Sequence, residues 1–483
     1  MAREFTGRLE QIDANRWRIP RSSRADMRVD GIVFASEEMI GEVKSGGALE
    51  QVANVATLPG IVGASLAMPD IHWGYGFPIG GVAATDVEAG GVISPGGVGY
   101  DINCGVRLLA SNMPVEEVRP RLEELMNQLF RDIPVGVGVG GPYKFAASEM
   151  KKLMARGAAY LLDQGLARSE DLAHTESGGC LEGAEPDEVS RQAYARGEDQ
   201  CGTLGSGNHF AEVQYVERIF DEKAAEALGL RLGHMVFMIH SGSRGLGHQV
   251  CEDALKVMRN APGKYGIELP DRQLVCAPAD SPEGRQYLGA MRAAANFAWC
   301  NRQLLATQAR QTLERFFGRS LQLRQVYDVA HNIAKFETHA VEGRKVKLCV
   351  HRKGATRAFP PGHRELPDAL RAIGQPVLIP GDMGTASYVL LGTQGAMEQS
   401  FGSSCHGAGR VLSRKAAIER ARGRRIDKEL AAIGIIARAR GRTGLAEEQP
   451  EAYKNIDMVV DCVTAVGLAH KVARLRPIGV IKG

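Results

Sequence analysis

The sequence predicts a single large mixed α/β (α+β) unit spanning residues 1–483. Three observations lead to this prediction. Short apolar runs typical of strands end in glycine-rich loops, segments of helical periodicity lie between them, and no internal repeat, low-complexity tract or linker divides the chain. A length of 483 residues is more often split into several domains, so the prediction depends on the missing linker.

Composition narrows the class of protein. Hydrophobic residues make up 44% and charged residues 24% of the chain, which is ordinary for a soluble globular enzyme. A net charge of +3 points by itself to neither a membrane surface nor nucleic acid, so any basic surface must be local. The nine cysteines form no dense framework, and neither a signal core nor a membrane-spanning run is present. We expect a cytoplasmic protein.

In the first third of the chain, strands come before helices. Residues 31–35 read as a strand, and residues 61–112 are glycine-rich and strand-like, ending in a buried strand at 106–110. Helical periodicity follows over 116–133 and 147–167. The glycine-rich loop between these helices lacks the Gly-Lys-Ser/Thr of a P-loop, so it is interpreted as a turn.

The middle of the chain alternates strands with one long helix. Residues 204–214 lead into a strand, and residues 235–248 lead out of one into a glycine loop. Residues 287–317 carry an apolar face at helical spacing, and residues 323–332 form a strand that ends in His331-Asn332. Each of these strands has a histidine at its junction with a loop.

The last quarter shows weaker patterns. Residues 347–400 are interpreted as loop-rich, and residues 403–410 are predicted to open onto a basic helix that runs to about residue 433. Residues 440–456 are predicted to be an exposed connection. The strongest local signal here is charge, since eight basic and only two acidic residues lie between Arg410 and Lys428.

A glycine-punctuated loop at residues 96–107 is the first candidate site. Asp101 and Cys104 lie three residues apart in it, and the glycines allow sharp turns and close approach. A carboxylate and a thiolate together suit a borderline divalent ion such as Mn, Fe, Co or Zn. A plain glycine turn with a buried cysteine is the alternative.

Three histidines, His209, His240 and His331, lie at strand–loop junctions, where α/β enzymes build their sites. With Asp101 and Cys104 they make five ligands, too many for one tetrahedral structural zinc. They suit two adjacent ions bridged by the thiolate, an arrangement typical of phosphoryl chemistry. A single junction histidine is more often structural, so the prediction depends on the group.

His406 is the candidate nucleophile. It precedes Gly407-Ala-Gly409 and is predicted to lie at a helix N-terminus, where backbone N–H groups attract phosphate. A histidine beside a triphosphate can attack it and form a phosphoramidate. Arg410 and Arg414 are expected to follow on one face of that helix, although a solvated basic face is the alternative.

Six motifs in order resemble the RtcB family of RNA-splicing ligases: MPDIHWGYGFPIGGVA (68–83), GYDINCG (99–105), LGSGNHF (204–210), HSGSRGLGH (240–248), DVAHN (328–332) and SCHGAGR (404–410). The resemblance runs nearly end to end. It implies an unusual α/β fold unrelated to lysine-type ligases. It also implies that the enzyme joins RNA ends bearing a 3′-phosphate or 2′,3′-cyclic phosphate to 5′-hydroxyl ends, with GTP and manganese.

The resemblance also implies residue roles. It places a first Mn²⁺ on Asp101, Cys104 and His209, and a second on Cys104, His240 and His331, with His406 as the residue that becomes guanylylated. Matches to the guanine-nucleotide pocket are Asn208, His209, Phe210, Ala211, Glu212, His331, Asn332, Pro380, Gly381, Asp382, Met383, Ser387, His406, Gly407, Ala408, Gly409 and Lys482. Matches to phosphate- or RNA-binding arginines are Arg244, Arg410 and Arg414.

Three functions are compared. The leading one is an RNA ligase of tRNA splicing or RNA repair, with cleaved tRNA halves or broken RNA ends as substrate. A metal-dependent phosphoesterase would use only the hydrolytic half of the chemistry and need no GTP. A non-catalytic RNA-binding protein is disfavoured because all five ligands and the nucleophile are present. The sequence leaves open the native RNA, an activating partner of the archease type and the oligomeric state.

Overall fold

The computed structural model describes residues 5–483, and its architecture is mixed α/β, as predicted. The strands are β1 (Glu10–Asp13), β2 (Arg16–Ile19), β3 (Asp30–Phe34), β4 (Ile61–His72), β5 (Ile79–Asp86), β6 (Val92–Ile93), β7 (Gly105–Pro114), β8 (Phe210–Ile219), β9 (His234–Ser241), β10 (Ala277–Pro278), β11 (Leu323–Ala330), β12 (Asn332–Val341), β13 (Arg344–Lys353), β14 (Ala355–Arg357), β15 (Pro376–Ile379), β16 (Ser387–Gly392), β17 (Ser403–Cys405), β18 (Ile436–Ala439) and β19 (Ala469–Lys482).

The helices are α1 (Glu37–Ser45), α2 (Ala48–Val55), α3 (Val115–Val118), α4 (Leu122–Asp132), α5 (Ala147–Arg156), α6 (Ala158–Asp163), α7 (Ser169–Ala173), α8 (Arg191–Gly197), α9 (Glu222–Ala227), α10 (Arg244–Val257), α11 (Ala261–Lys264), α12 (Pro282–Phe317), α13 (Asp368–Arg371), α14 (Gln394–Ser400), α15 (Arg414–Arg420), α16 (Ile426–Ala432), α17 (Arg442–Glu447) and α18 (Ile456–Ala465). Among the helices of residues 5–483, none combines the length and apolarity needed to cross a bilayer.

Two large sheets organise these elements. The first has seven strands in the order β1-β2-β3-β4-β5-β13-β12. The second has eight, in the order β11-β7-β9-β8-β19-β16-β15, with β18 beside β19. Two short pairs, β6 with β10 and β14 with β17, complete the pairing. The chain passes from the second sheet to the first at His331, because β11 and β12 flank that residue.

Antiparallel pairing brings strand ends together in one row across the second sheet. Gly105, the first residue of β7, pairs with Ala330 at the end of β11 and with Ser241 at the end of β9. Phe210, the first residue of β8, pairs with His240 of β9. Because neighbouring strands run in opposite directions, loops entering one strand meet loops leaving the next. This row positions the candidate site.

The predicted long helix is confirmed as α12, and it begins five residues earlier than the apolar pattern indicated. The Ser281 side chain accepts a hydrogen bond from the Gly284 N–H at 3.1 Å, and Pro282 occupies the first turn, a typical helix start. The helix ends at Gly318, whose φ is +89°. It packs against β9, α4, α5 and α10, and most of its side chains are buried.

The other two predicted helices are each divided. Pro120 interrupts residues 116–133, so that α3 and α4 are separated by a short 3-10 turn. Gly157 divides residues 147–167 into α5 and α6, because it has a φ of +56° and a Cβ there would lie 2.2 Å from the Gly179 carbonyl oxygen. Periodicity gave the apolar faces correctly and missed both breaks.

The predicted strands are mostly confirmed, at β3, β4, β5, β7, β8, β9 and β11. The prediction that residues 347–400 are loop-rich is wrong, since this stretch holds most of β13, then β14, α13, β15, β16 and α14. Strands β15 and β16 are buried at every position, so they lack the alternation that marks a half-exposed strand.

Candidate functional site

The five residues predicted as metal ligands come together at the row of strand ends. Cys104 precedes β7, His209 precedes β8, His240 lies near the end of β9 and His331 follows β11. Asp101 stands in the turn before Cys104, whose N–H donates to the Asp101 carbonyl oxygen at 3.0 Å. The strand register therefore unites side chains that are up to 230 residues apart.

Two overlapping groups of three share the Cys104 sulfur. One is Asp101, Cys104 and His209, the other is Cys104, His240 and His331, and within each the donor atoms lie within 4.8 Å of one another. Sγ of Cys104 is 3.4 Å from Nε2 of His209 and 3.3 Å from Nε2 of His240. Nε2 of His240 is 3.3 Å from Nε2 of His331, and Nε2 of His209 is 2.8 Å from Oδ2 of Asp101.

This donor set fits divalent cations. Nitrogen and sulfur atoms that bind one tetrahedral cation at about 2.0–2.3 Å are themselves about 3.3–3.8 Å apart, close to the spacing around Cys104. Burial lowers the pKa of His240 and of His331 well below its ordinary value, so both imidazoles are neutral and able to ligate. Burial raises the pKa of the Cys104 thiol, so a cation is needed to hold this sulfur as a thiolate.

Arg302 of α12 ties together the segments that carry these ligands. Its guanidinium donates to the carbonyl oxygens of Asn103 (2.6 Å) and Ser241 (2.9 Å), each adjacent in sequence to a ligand. It also pairs with Asp328 at 2.8 Å, on the strand that leads to His331. All of these groups are buried, so the fork of Arg302 fixes three ligand-bearing segments relative to one another.

We expect Arg302→Lys to lower the affinity for a divalent cation such as Co²⁺ by about 10- to 100-fold, the usual cost of losing support behind a ligand. Lysine keeps the charge but loses the planar fork, and one ammonium cannot hold Asn103, Ser241 and Asp328 at once. Calorimetric titration of the purified protein with Co²⁺, beside a thermal melt, measures the effect.

Arg107 provides the matched control. Its guanidinium is equally buried, donates to the same Asp328 carboxylate at 2.7 Å, and also bonds Gln303. Arg107→Lys should therefore destabilise the fold by a similar amount and leave the Co²⁺ affinity near the wild-type value. Equal losses of affinity in the two variants would show that Arg302 acts only through overall stability.

His406 lies in the wall of the same site, and one of its ring nitrogens is hydrogen-bonded to a buried carboxylate. It follows β17, and its Nδ1 is 2.6 Å from Oδ2 of Asp70, a fully buried residue of β4. The same oxygen accepts the backbone N–H of His406 at 3.1 Å. The ring centroids of His406 and His331 are 4.7 Å apart. With Nδ1–H donating to Asp70, the lone pair is on Nε2, so this nitrogen is the one that could act as a nucleophile.

The prediction that His406 lies at the N-terminus of a basic helix running to about residue 433 is wrong, since this stretch holds two short helices, α15 and α16. Helix α15 starts only at Arg414 and has seven residues. Between the two, the chain turns at Gly409, whose φ is +75° and where a Cβ would lie 2.2 Å from a β4 carbonyl oxygen. Arg410 and Arg414 therefore do not share a helical face, and no helix N-terminus within residues 5–483 begins at His406.

The predicted basic patch is partly neutralised by acidic side chains. Four of its eight basic residues are in ion pairs: Arg410 with Glu448 at 2.9 Å, Arg414 with Glu447 at 3.0 Å, Arg424 with Glu429 at 2.5 Å, and Arg425 with Asp427 at 2.6 Å. The Arg410 side chain is only 16% exposed, whereas that of Arg414 is 62% exposed. Of these two, Arg414 is the one open to a ligand.

A cavity of about 920 Å³ connects the ligand group with His406. The predicted site residues that line it are Asp101, Cys104, Asn208, Phe210, Glu212, His240, His331, Asn332, Pro380, Gly381, Asp382, Met383, His406, Gly407, Ala408, Gly409, Arg410, Arg414 and Lys482. Most of the predicted site thus shares one space.

Four predicted residues are not among the residues of 5–483 that line the cavity: His209, Ala211, Ser387 and Arg244. The Ala211 side chain packs into the core on the opposite face of β8, because successive side chains of a strand alternate. Ser387 accepts a hydrogen bond from Gln214 at 3.1 Å. Arg244 lies 3.2 Å from Nδ1 of His209, so it supports a ligand from behind.

One end of the cavity combines an acid, a base and an aromatic ring. Burial raises the pKa of Glu212, on β8, to about 7. Lys482, at the end of β19, donates from Nζ to the Gly207 carbonyl oxygen at 3.1 Å and lies 3.5 Å from Glu448. The Phe210 ring centroid is 5.6 Å from this Nζ. Such a set of acceptor, donor and apolar ring suits a heterocyclic base.

Sequence reasoning missed several residues at this site. The prediction of residues 440–456 as an exposed connection is wrong, since Glu448 and Tyr453 line the cavity and bond each other. Asp70 was part of a recognised motif, but its bond to His406 joins residues 336 positions apart and leaves no local pattern. The only sequence signal for Glu448 was the acidic pair Glu447-Glu448, which follows a basic stretch.

Fold and site together define a class: a mixed α/β protein in which two overlapping groups of residues that could hold cations share one cavity with a histidine. Comparison with known proteins identifies the family. The family model described as "tRNA-splicing ligase RtcB" matches residues 51–483. The chain therefore belongs to the RtcB family.

Similar proteins of archaea and bacteria agree with this. The "tRNA-splicing ligase RtcB" of Thermococcus kodakarensis is 54% identical over 478 residues, covering 98% of this chain and 99% of that protein. The protein of the same name from Archaeoglobus fulgidus is 54% identical over 480 residues, covering 99% of each chain. The "RNA-splicing ligase RtcB" of Mycobacterium tuberculosis is 54% identical over 435 residues, covering 90% of this chain and all of that protein.

Proposed function

We propose that this protein is an RNA ligase that joins 3′-phosphate or 2′,3′-cyclic-phosphate ends to 5′-hydroxyl ends, through a guanylylated His406 and a GMP-activated RNA end. The observation that carries the proposal is the placement of His406. Its Nδ1 is held by Asp70, and its ring lies 4.7 Å from that of His331 in the cation-binding group. A phosphoesterase that acts through a cation-activated water needs no nucleophilic histidine beside a base-binding pocket.

The cation-binding residues would hold two Mn²⁺ ions, one on Asp101, Cys104 and His209, the other on Cys104, His240 and His331. When bound, the ions supply positive charge that offsets the charge of the phosphate groups and of the departing pyrophosphate. Spacing, neutral imidazoles and the shared sulfur support this assignment. Such ligands also bind zinc tightly, so zinc is expected to compete.

In the first step, Nε2 of His406 attacks the α-phosphorus of GTP. A nitrogen–phosphorus bond forms as the bond to pyrophosphate breaks, and pyrophosphate leaves with the electron pair. Asp70 keeps the proton on Nδ1 and stabilises the ring as it becomes positively charged, which is the role of a carboxylate behind a reacting imidazole.

In the second step, an oxygen of the RNA 3′-phosphate attacks the phosphorus of the bound GMP and the imidazole leaves, which regenerates His406. The 5′-hydroxyl oxygen of the other RNA end then attacks the activated 3′-phosphorus, and GMP departs with the electrons of the broken bond. A 2′,3′-cyclic phosphate is first opened by water, which breaks the bond to the 2′ oxygen. Arg414, which is exposed at the cavity wall and pairs with Glu447, would hold RNA phosphate.

The base-binding end of the cavity favours guanine. Glu212 is an acceptor, and guanine carries two N–H donors on the edge where adenine has one. Lys482 lies beside it as a donor for a carbonyl oxygen such as guanine O6. The nucleotide would lie along Asn208, Phe210, Asn332, Pro380 to Met383 and Gly407 to Gly409. Asp382 accepts hydrogen bonds from the Gly384 N–H (2.7 Å) and Thr385 Oγ1 (2.8 Å), so its carboxylate stabilises the turn at residues 382–385.

The decisive experiment is ligation of a synthetic 3′-phosphate RNA to a 5′-hydroxyl RNA with Mn²⁺, with GTP or ATP as nucleotide. We expect joined product with GTP and at least about tenfold less with ATP. Removal of the 3′-phosphate without joining would favour the alternative of a metal-dependent phosphoesterase, and joining that proceeds equally well without nucleotide would contradict the GMP relay. Electrophoresis of end-labelled RNA separates all these products.

The proposed enzyme is a single domain in the cytoplasm with one candidate protein partner. Residues 1–483 act as one catalytic domain, since both sheets contribute to the cavity through Asp70 and Glu212. The location is cytoplasmic, in keeping with nine cysteines that are all unpaired. An activator of the archease type is a candidate partner, and its addition to the ligation assay tests whether turnover depends on it.

A further inference from the structure

Four aromatic side chains that line the cavity have no role in the chemistry above. We call Trp73, Tyr75, Tyr100 and His248 the aromatic strip; all four line the cavity. The ring centroids of Tyr75 and Tyr100 are 5.6 Å apart at 72°, and those of Tyr100 and His248 are 4.8 Å apart at 31°. None of the four belongs to the set of Phe210, Glu212 and Lys482 at the base-binding end, although all seven line the same cavity.

The aromatic strip is attached directly to the reacting groups. Trp73 directly follows β4, three residues after Asp70, which holds His406. Tyr100 precedes the cation ligand Asp101. A molecule lying on these rings would therefore have its next phosphate close to both the nucleophile and the cation-binding group.

Exposure argues against a role in the core. Trp73 is 51% exposed, and among the tryptophans of residues 5–483 it is the only one that is exposed. Tyr75, Tyr100 and His248 are only partly buried. A single exposed aromatic side chain is ordinary. Several such rings in the wall of one cavity, beside a site for phosphate chemistry, are the arrangement that proteins use to stack unpaired bases.

We propose that the aromatic strip is the subsite that stacks nucleobases of the RNA strand next to its reacting end. This inference rests on the ligase function proposed above and adds the part of the substrate that the strip recognises. Stacking accepts any base, because every base has a π face, so the strip holds the RNA end without demanding a sequence.

The test compares Trp73→Ala and Tyr100→Leu with the wild type in two assays. Labelling of the enzyme by GTP needs no RNA, so it should be unchanged. The KM for RNA in ligation should rise between about fivefold and 150-fold, the range that stacking of one base on an aromatic side chain gives. Trp73→Phe should restore most of the affinity, and Phe220→Ala, a partly exposed ring outside the cavity, should behave as wild type.

Abasic RNA makes the test specific for base stacking. An abasic nucleotide next to the 3′-phosphate or next to the 5′-hydroxyl should weaken wild-type ligation, and the Trp73→Ala penalty should vanish for the strand that occupies the strip. The strand with which it vanishes identifies the bound end. A penalty that stays the same with both abasic strands, or loss of GTP labelling with the folded variant, would overturn the inference. Failure of the wild type to ligate would instead overturn the proposed function.

Discussion

His406→Ala is expected to abolish covalent labelling of the protein by radiolabelled GTP and to reduce RNA joining by at least about a thousandfold, since it removes the nucleophile itself. The label on the wild type should be lost in acid and stable in base, as expected for a phosphoramidate. The measurement is gel autoradiography after incubation with Mn²⁺ and α-labelled GTP, followed by ligation under the same conditions.

Two variants control this result. His363→Ala removes a half-buried histidine that stacks on Phe359 outside the cavity, and it should label as the wild type does. Asp70→Asn leaves His406 in place but no longer selects the Nδ1–H tautomer, so labelling should slow by about 10²- to 10⁴-fold. Labelling of His406→Ala at the wild-type rate would rule out this residue as the carrier of GMP.

The sequence singled out His406 as a candidate, but the contacts that hold its ring could not be predicted from it. The motif placed an imidazole before glycines, and the sequence suggested that a helix N-terminus would bind the phosphate. In the structure Gly409 is instead the point where the chain passes a carbonyl oxygen of β4 closely, and Asp70 of that strand holds the ring. A contact across 336 residues has no signature in local periodicity.

For the candidate metal ligands, the sequence predicted the residues and their places on the strands. Each of His209, His240 and His331 stands at the junction of an apolar run and a glycine loop, so the type of residue and its place on a strand end could be predicted. Their meeting depends on strand order in the second sheet, where β9 lies between β7 and β8. That order is set by packing of distant segments, so only the resemblance to a family could indicate it.

Polar residues inside helices were the hardest to predict. The apolar face of α12 was evident, yet Arg302 on the same helix is fully buried and holds the ligand segments. Periodicity treats a charged residue as a mark of the exposed face. Here the charge is compensated by Asp328, which the sequence places on a separate strand. Burial of such a pair is a feature of the assembled core, and the helix alone does not specify it.

Cys104→Ala is expected to lower the affinity at both cation sites by more than about 100-fold each and to stop ligation, because one sulfur belongs to both groups. Its distances of 3.4 Å to His209 and 3.3 Å to His240 place it between them. His331→Gln and Asp101→Asn each remove a ligand of one group only, so each should leave one site intact. Binding stoichiometry with Co²⁺, read by calorimetry and by the thiolate-to-cobalt absorption band, distinguishes these cases.

Cys276→Ala is the matched control, since Cys276 is a buried cysteine in an apolar cluster away from the cavity. It should retain two ions, the thiolate absorption band and ligation activity, at a modest cost in stability. If Cys104→Ala still bound two ions at wild-type affinity, the shared sulfur would be excluded. If His331→Gln lost both ions while Cys104→Ala lost one, the assignment of ligands to the two groups would be wrong. The graded pattern of one ion, one ion and none is the signature of a cysteine held in common.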